Sequence, residues 1–249
     1  MTTTEQTETP EQGAPAVDTS PAVEFYDIVA LSNAAGVDAL ATALRGVDPS
    51  SGPVLDVGAG TGRTVQVVAD TLPDARVVAV EPDLAMRAVL MHHVLCDPDL
   101  RRRVTVVAEP AQTMPLPDRL SAVVLYGMLG MLDQGERRAL WDRLLPRLAP
   151  GAPVVVELLP ISRPQRIDTL PYANGRVGDT VYTATMDGEP GEGDLMHLTT
   201  RWHVVGPGTA RTVQSTSRWH TFGLDDLADE TGLVAERLTV QAGVLRAAP

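Results

Sequence analysis

Nine consecutive residues, VLDVGAGTG at 54–62, put an apolar strand, one acid and three alternate glycines into a single turn. Val54, Leu55 and Val57 supply the short apolar run of a buried parallel strand. Gly58, Gly60 and Gly62 let the backbone turn sharply and come close to a ligand, an approach that a Cβ would hinder. Asp56 stands on the strand and Ala59 lies inside the turn. A second acid, Glu81, ends the next apolar run, VVAVEPD at 77–83. Its two oxygens match a vicinal diol such as that of ribose, and its charge would repel a 2′-phosphate. Turn and acid together imply a small, nonphosphorylated nucleoside cofactor. A third acid, Glu157, interrupts the apolar VVVELL at 154–159, where a buried carboxylate is costly unless it is paired or has a task. It is a candidate for holding an acceptor amine or a histidine, or for a plain ion pair with an arginine further on.

The elements that position these groups read as strand, glycine turn, helix. Residues 63–72 carry Val65, Val68, Ala69 and Leu72 on one helical face. A dinucleotide fingerprint would want its third glycine one residue later, where this chain has Arg63. The alternate glycines with Asp56 resemble instead the first motif of the class I S-adenosylmethionine (SAM) methyltransferases. That resemblance implies a loop around the methionine half of SAM and a ribose held by Glu81. It also implies a helix start at Pro82, Asp83 and Met86 that covers one face of the adenine. The third strand, 104–108, leads into EPAQTMPLPD at 109–118, similar to the family's adenine-binding turn. Pro110 stands where the family commonly has an acid, which leaves the Ala111 amide for the ring and Glu109 or Gln112 for the exocyclic amine. The fourth strand, 120–125, runs into YGMLGM at 126–131. This places Tyr126 at a carboxyl-end loop, either beside the sulfonium, whose charge an aromatic face attracts, or as a core tyrosine.

Four motifs in order across residues 50–160 predict an α/β, doubly wound, mostly parallel seven-stranded sheet. The expected division is a disordered tail at 1–22, an N-terminal helical lid at 23–48, a SAM-binding core at 49–160, an insertion at 161–222, and a last helix with two strands at 223–249. Tyr26 in the lid fits a place near the methionine carboxylate, or a packing role. Alternation in DTVYTATM, DLMHLTTRWHVV and ARTVQSTSRWHTF, separated by glycine-rich turns, predicts three antiparallel strands in the insertion, the candidate acceptor site. Period two puts Met196, Leu198, Thr200 and Trp202 on one face and His197, Thr199, Arg201 and His203 on the other. If the polar face meets the acceptor, His197 or His203 is a candidate general base. If the apolar face does, Trp202 and Met196 would cradle an aromatic acceptor; Trp219 and His220 pose the same choice.

A net charge of −12 argues against a nucleic-acid acceptor, since a phosphate backbone demands a basic surface. The 20 basic residues are all arginine, and the run Arg101–Arg103 reads as a solvated loop. The single cysteine, Cys96, excludes an internal disulfide and reads as a core thiol at the end of an apolar helix. No Cys or His spacing suggests a metal, and residues 1–22 contain no apolar leader, so a cytoplasmic chain is expected. The resemblance thus points to SAM-dependent methylation of a small neutral or cationic acceptor. By family analogy the acceptor is an aromatic or heterocyclic intermediate of specialised metabolism. Two rivals keep the fold: a SAM-dependent rearrangement or cyclisation, and a noncatalytic partner-binding subunit. The inserted sheet could also pair across a homodimer axis.

Overall fold

The computed structural model describes residues 20–31 and 34–248. The tail expected at 1–22 lies outside them, except for its last three residues, which begin the first helix. In chain order the elements are α1 (Ser20–Leu31), α2 (Ala34–Leu44), β1 (Val54–Val57), α3 (Arg63–Thr71), β2 (Val77–Val80), α4 (Leu84–Cys96), α5 (Pro98–Arg103), β3 (Val104–Val107), β4 (Ala122–Leu125), α6 (Gln134–Leu144) and β5 (Val154–Glu157). There follow β6 (Ile167–Val177), β7 (Thr180–Pro190), β8 (Leu195–Gly206), β9 (Thr209–His220), α7 (Leu224–Thr231), β10 (Val234–Arg237) and β11 (Ala242–Arg246).

The main sheet has seven strands in the order β10-β11-β5-β4-β1-β2-β3. β1 to β5 run parallel, and β11 alone runs antiparallel to its neighbours. Short runs such as VLDV and AVVL are buried on both faces, as strands with helices on either side must be. Alternate residues serve the two layers. Val54, Val124 and Val155 pack with Leu40 and Leu44 of α2 and Val65 and Val68 of α3. Leu55, Val123 and Val156 pack with Leu140, Trp141 and Leu144 of α6 and Leu227 of α7. The chain reverses its direction of winding between β1 and β4, which opens a crevice beyond the carboxyl ends of those strands.

The insertion is a separate antiparallel sheet of four strands, β6-β7-β8-β9, where alternation marked only three. The additional strand is β6, whose run contains Pro171 and Asn174-Gly175 and whose pairing with β7 is interrupted by two register shifts. Proline, glycine and bulges blur the period-two signal that exposes a strand in sequence. The apolar face of this sheet looks inward, onto α1. Phe25 and Ile28 pack among Ala173, Ala184, Trp202 and Val204, and the Phe25 and Trp202 rings stack at 4.6 Å with 16° between planes. Gly175 allows the close approach, since a Cβ there would lie 2.8 Å from Ile28 Cγ2.

Cys96 is exposed, correcting its reading as a core thiol. α4 turns Met86, Leu90 and Val94 to the core, and a residue two positions beyond Val94 falls about 200° away around the helix. No single helix among the described residues is long and apolar enough to cross a membrane.

One buried ion pair fastens the far side of the core. Arg137 of α6 donates to both carboxylate oxygens of Glu230 on α7, at 3.2 and 2.8 Å, and to the Leu132 carbonyl, with its guanidinium 4.4 Å from the centre of the Phe222 ring. Trp141 Nε1 donates to the same carboxylate at 3.1 Å. Removing the acid would strand a buried guanidinium, so Glu230→Ala should destabilise the fold by about 3–5 kcal/mol. Arg163→Ala, which breaks the exposed pair with Asp226, should leave the urea midpoint in place. Equal shifts for both variants in urea unfolding would contradict this.

Candidate functional site

At the carboxyl end of β1 the chain passes through Gly58, Gly60 and Gly62 at φ of 75°, 56° and 97°, a region that side chains other than glycine rarely adopt. The turn folds back onto β2: the Gly58 and Ala59 amides donate to the Val80 carbonyl at 2.8 and 3.0 Å. Neighbours press on it closely. A Cβ on Gly58 would lie 2.9 Å from Met128 Cβ, and one on Gly60 would lie 3.2 Å from the Tyr26 ring.

Glu81 is buried against this turn rather than ending a strand at the surface. Its Oε2 accepts from the Gly60 amide and its Oε1 from the Asp83 amide, both at 2.8 Å. Burial pushes its carboxyl up from the usual range, and the two amides pull it back. Each oxygen keeps one lone-pair direction, which suits two adjacent hydroxyls. Asp83 caps α4 by accepting from the Ala85 and Met86 amides, while Arg87 donates to the Glu81 and Pro82 carbonyls. Met86 is buried and Pro82 is exposed.

Asp56 is fully buried, with Oδ2 accepting from Thr64 Oγ1 at 2.5 Å. Its Oδ1 is also buried and has no hydrogen-bond partner among the described residues. Burial raises its carboxyl to about 7, against a partial offset from Thr64. A buried acid with one unsatisfied oxygen next to a glycine cradle fits the ammonium end of an amino-acid-bearing nucleoside.

α1 closes the turn from above. Tyr26 lies against Gly60, and Asp27 accepts from Thr61 Oγ1 at 2.6 Å. On the other side, Tyr126 donates to the Gly36 carbonyl of α2 at 3.2 Å. In the third loop, Ala111 is buried, and Arg143 holds the Ala111, Gln112 and Met114 carbonyls. The Gln112 amide donates to Glu136 at 3.1 Å, and Glu109 is exposed.

The inserted sheet corrects the histidine assignments. His197 and His203 are exposed on its outer face, His203 bonding Thr212 Oγ1 at 3.1 Å, so neither faces the crevice. The opposite face is apolar and therefore turned inward, and its Trp202 is already stacked on Phe25, so it cannot cradle an acceptor. Trp219 sits instead on Gly130, where a Cβ would lie 1.9 Å from the indole. His220 pairs with Asp194 at 2.7 Å.

Glu157 does stand at the crevice, its Oε2 3.4 Å from where a Cβ on Gly127 would be. Burial first, and then the Glu157 charge, push the hydroxyls of Tyr26, Tyr126 and Tyr172 upward. Tyr172 escaped the sequence reading because it rides on β6, at a register shift between Pro171 and Ala173. Asp27 and Arg143 were missed as well, because only tertiary packing brings them to these loops.

The family model described as a methyltransferase domain matches residues 54–151. A trans-aconitate 2-methyltransferase of Delftia acidovorans is 26% identical over 105 residues, which are 42% of this chain and 37% of that protein. The match thus spans little more than a third of that relative. Among solved structures, SAM-bound CalS10 of Micromonospora echinaspora, an amino pentose methyltransferase involved in calicheamicin biosynthesis, aligns with 96% of this chain and 100% of its own at 20% identity and a TM-score of 0.67. DesVI of Streptomyces venezuelae covers 91% and 98% at 19% identity and a TM-score of 0.71. The sugar N-methyltransferase KedS8 of a Streptoalloteichus species covers 99% of both chains at 17% identity and 0.66. At such identities the structural likeness is one of fold. Residues 54–151 thus match a methyltransferase domain, and the chain shares the fold of these methyltransferase structures.

The raised carboxyl of Asp56 has a measurable cost. From its ordinary 3.8 up to about 7, the folded chain holds a proton that the unfolded chain has lost, so this residue lowers stability as pH rises across that window. Asp56→Asn removes the penalty. In ligand-free protein its gain in Tm should be absent near the low end, grow toward neutrality and stay level above it. A gain independent of pH would show that burial of the charge is not the cause.

Proposed function

We propose that this chain, a class I methyltransferase by domain and fold, transfers the SAM methyl group to a small molecule of specialised metabolism, acting in the cytoplasm. The observation that carries the cofactor half is the Glu81 carboxylate, clamped by the Gly60 and Asp83 amides with one acceptor direction left on each oxygen. Support for the acceptor half comes from the net charge of −12, which disfavours nucleic acid, and from the lid and inserted sheet that flank the crevice. The fold neighbours named for an amino pentose and for sugar N-methylation favour a heterocyclic acceptor of the antibiotic-biosynthesis type.

When bound, SAM supplies an electrophilic methyl group and a neutral thioether leaving group. The protein therefore has no developing anion to stabilise on the donor side. In this reading Glu81 orients the ribose, Asp56 and the turn 58–62 hold the amino-acid end, Met86 and Pro82 border the adenine, and the Ala111 loop, set by Arg143, meets its edge. Tyr26, Asp27 and the rest of α1 cover the cradle and keep water out. Catalysis then rests chiefly on alignment of donor and acceptor at roughly 3 Å in a dry site.

Isothermal titration with S-adenosylhomocysteine should give binding in the micromolar range that Glu81→Ala loses, with no response to NAD. A screen of small acceptors should then yield products heavier by one methylene. Silence from S-adenosylhomocysteine with folded protein would overturn the proposal.

A further inference from the structure

Register and alternation set a row of polar side chains on one face of the crevice. Val54, Val124 and Val155 point toward α2 and α3, and side chains two residues on return to that face. Those residues are Asp56 on β1, Tyr126 just past the end of β4, and Glu157 on β5, three neighbouring strands. Leu125 pairs with Val156, so Tyr126 and Glu157 come next to each other just beyond it. Glu81 lies at the other end, on the β2 side of β1. With strands about 4.8 Å apart, it stands about three spacings from Glu157, the difference between the ribose end of a nucleoside and the space beyond its far end.

Three of the chain's four tyrosines, from α1, from the loop after β4 and from β6, lie within reach of the Glu157 charge, and strand register sets Tyr126 next to it. The charges acting on their hydroxyls are all negative: Glu157 on each of them, with Asp56 and Glu81 also acting on Tyr26. A field of that sign disfavours an acceptor that must become an oxyanion or a carbanion before it attacks, because such sites offer donors and positive charge. Aromatic faces and carboxylates favour a cation. Tyr172 remains 39% exposed, at the rim where an acceptor would enter.

We propose that the acceptor is an amine, bound as its ammonium by Glu157 within the ring of Tyr26, Tyr126 and Tyr172, and that Glu157 takes the proton that must leave before methyl transfer. The ammonium R–NH3+ gives one proton to the Glu157 carboxylate and becomes R–NH2. Its lone pair then forms the N–C bond to the methyl carbon as the C–S bond breaks and its pair passes to sulfur. The products are R–NH2–CH3+ and neutral S-adenosylhomocysteine, and the Glu157 carboxylic acid releases its proton to water. Glu157 is thus catalytic, and the tyrosines position the amine. This inference rests on the SAM reading above.

Sinefungin, which carries a protonated amine where the transferable methyl group of SAM would be, probes this site without knowledge of the natural acceptor. In titration calorimetry with the full chain at neutral pH, sinefungin should bind roughly tenfold more tightly than S-adenosylhomocysteine. That preference should fade as alkaline pH neutralises the amine. Glu157→Gln, close to isosteric, should bring the ratio to about one while leaving affinity for S-adenosylhomocysteine within about twofold, a split that general loss of folding would not produce. Equal affinities in the parent chain, or a preference that Glu157→Gln leaves intact, would overturn the amine proposal alone. Failure of both ligands to bind would overturn the SAM reading beneath it.

Discussion

A carboxylate removed from water must be answered by donors, and the answer given to Glu81 organises the crevice. The Gly60 amide is free to reach it only because the turn at 58–62 runs through backbone conformations that glycine alone adopts at low cost. The Asp83 amide reaches it because α4 begins directly after β2, with Asp83 serving as cap. One acid thereby ties the end of β1, the end of β2 and the start of α4 into a rigid cradle. Asp56 is treated differently: Thr64 satisfies one oxygen, the other has no partner among the described residues, and the carboxyl rises to about 7. One acid is built for stability and the other is left in tension.

The core was largely legible in sequence because its signals are local. Apolar runs of four residues, glycines at alternate positions and acids at strand ends can be read without tertiary knowledge, and β1 to β5 follow them. The inserted sheet was less legible. Its β7, β8 and β9 obey period two, but β6 hides behind Pro171, Asn174 and two register shifts, and Tyr172 was hidden with it. Choosing between the two faces of β8 was beyond local pattern as well. What decides it is α1, more than a hundred residues earlier in the chain, whose Phe25 fills the space over Trp202 and leaves His197 and His203 to solvent. The glutamate at 157 was visible in sequence as a misfit in an apolar strand, whereas its tyrosine surroundings needed the fold.

Small and large residues are matched wherever two units meet. Gly130 lies beneath the Trp219 indole, Gly175 beneath Ile28, and Gly58 beside Met128. In each pair the missing side chain makes room for a bulky neighbour from a distant part of the chain, so backbone and ring approach as closely as in any protein interior. The first two contacts set the inserted sheet against the loop after β4 and the first helix, and the third sets that loop against the glycine turn.

Successive residues of a helix point about 100° apart, and α1 uses this to face several ways at once. Phe25 is stacked in the inserted sheet, Tyr26 lies on the glycine turn, and Asp27 holds Thr61. One wall therefore touches both the glycine turn and the inserted sheet. The same wall divides the insertion by evolutionary freedom: the outer positions of β8 and β9 can diverge at little cost, while those under Phe25 are held to the shape of its ring.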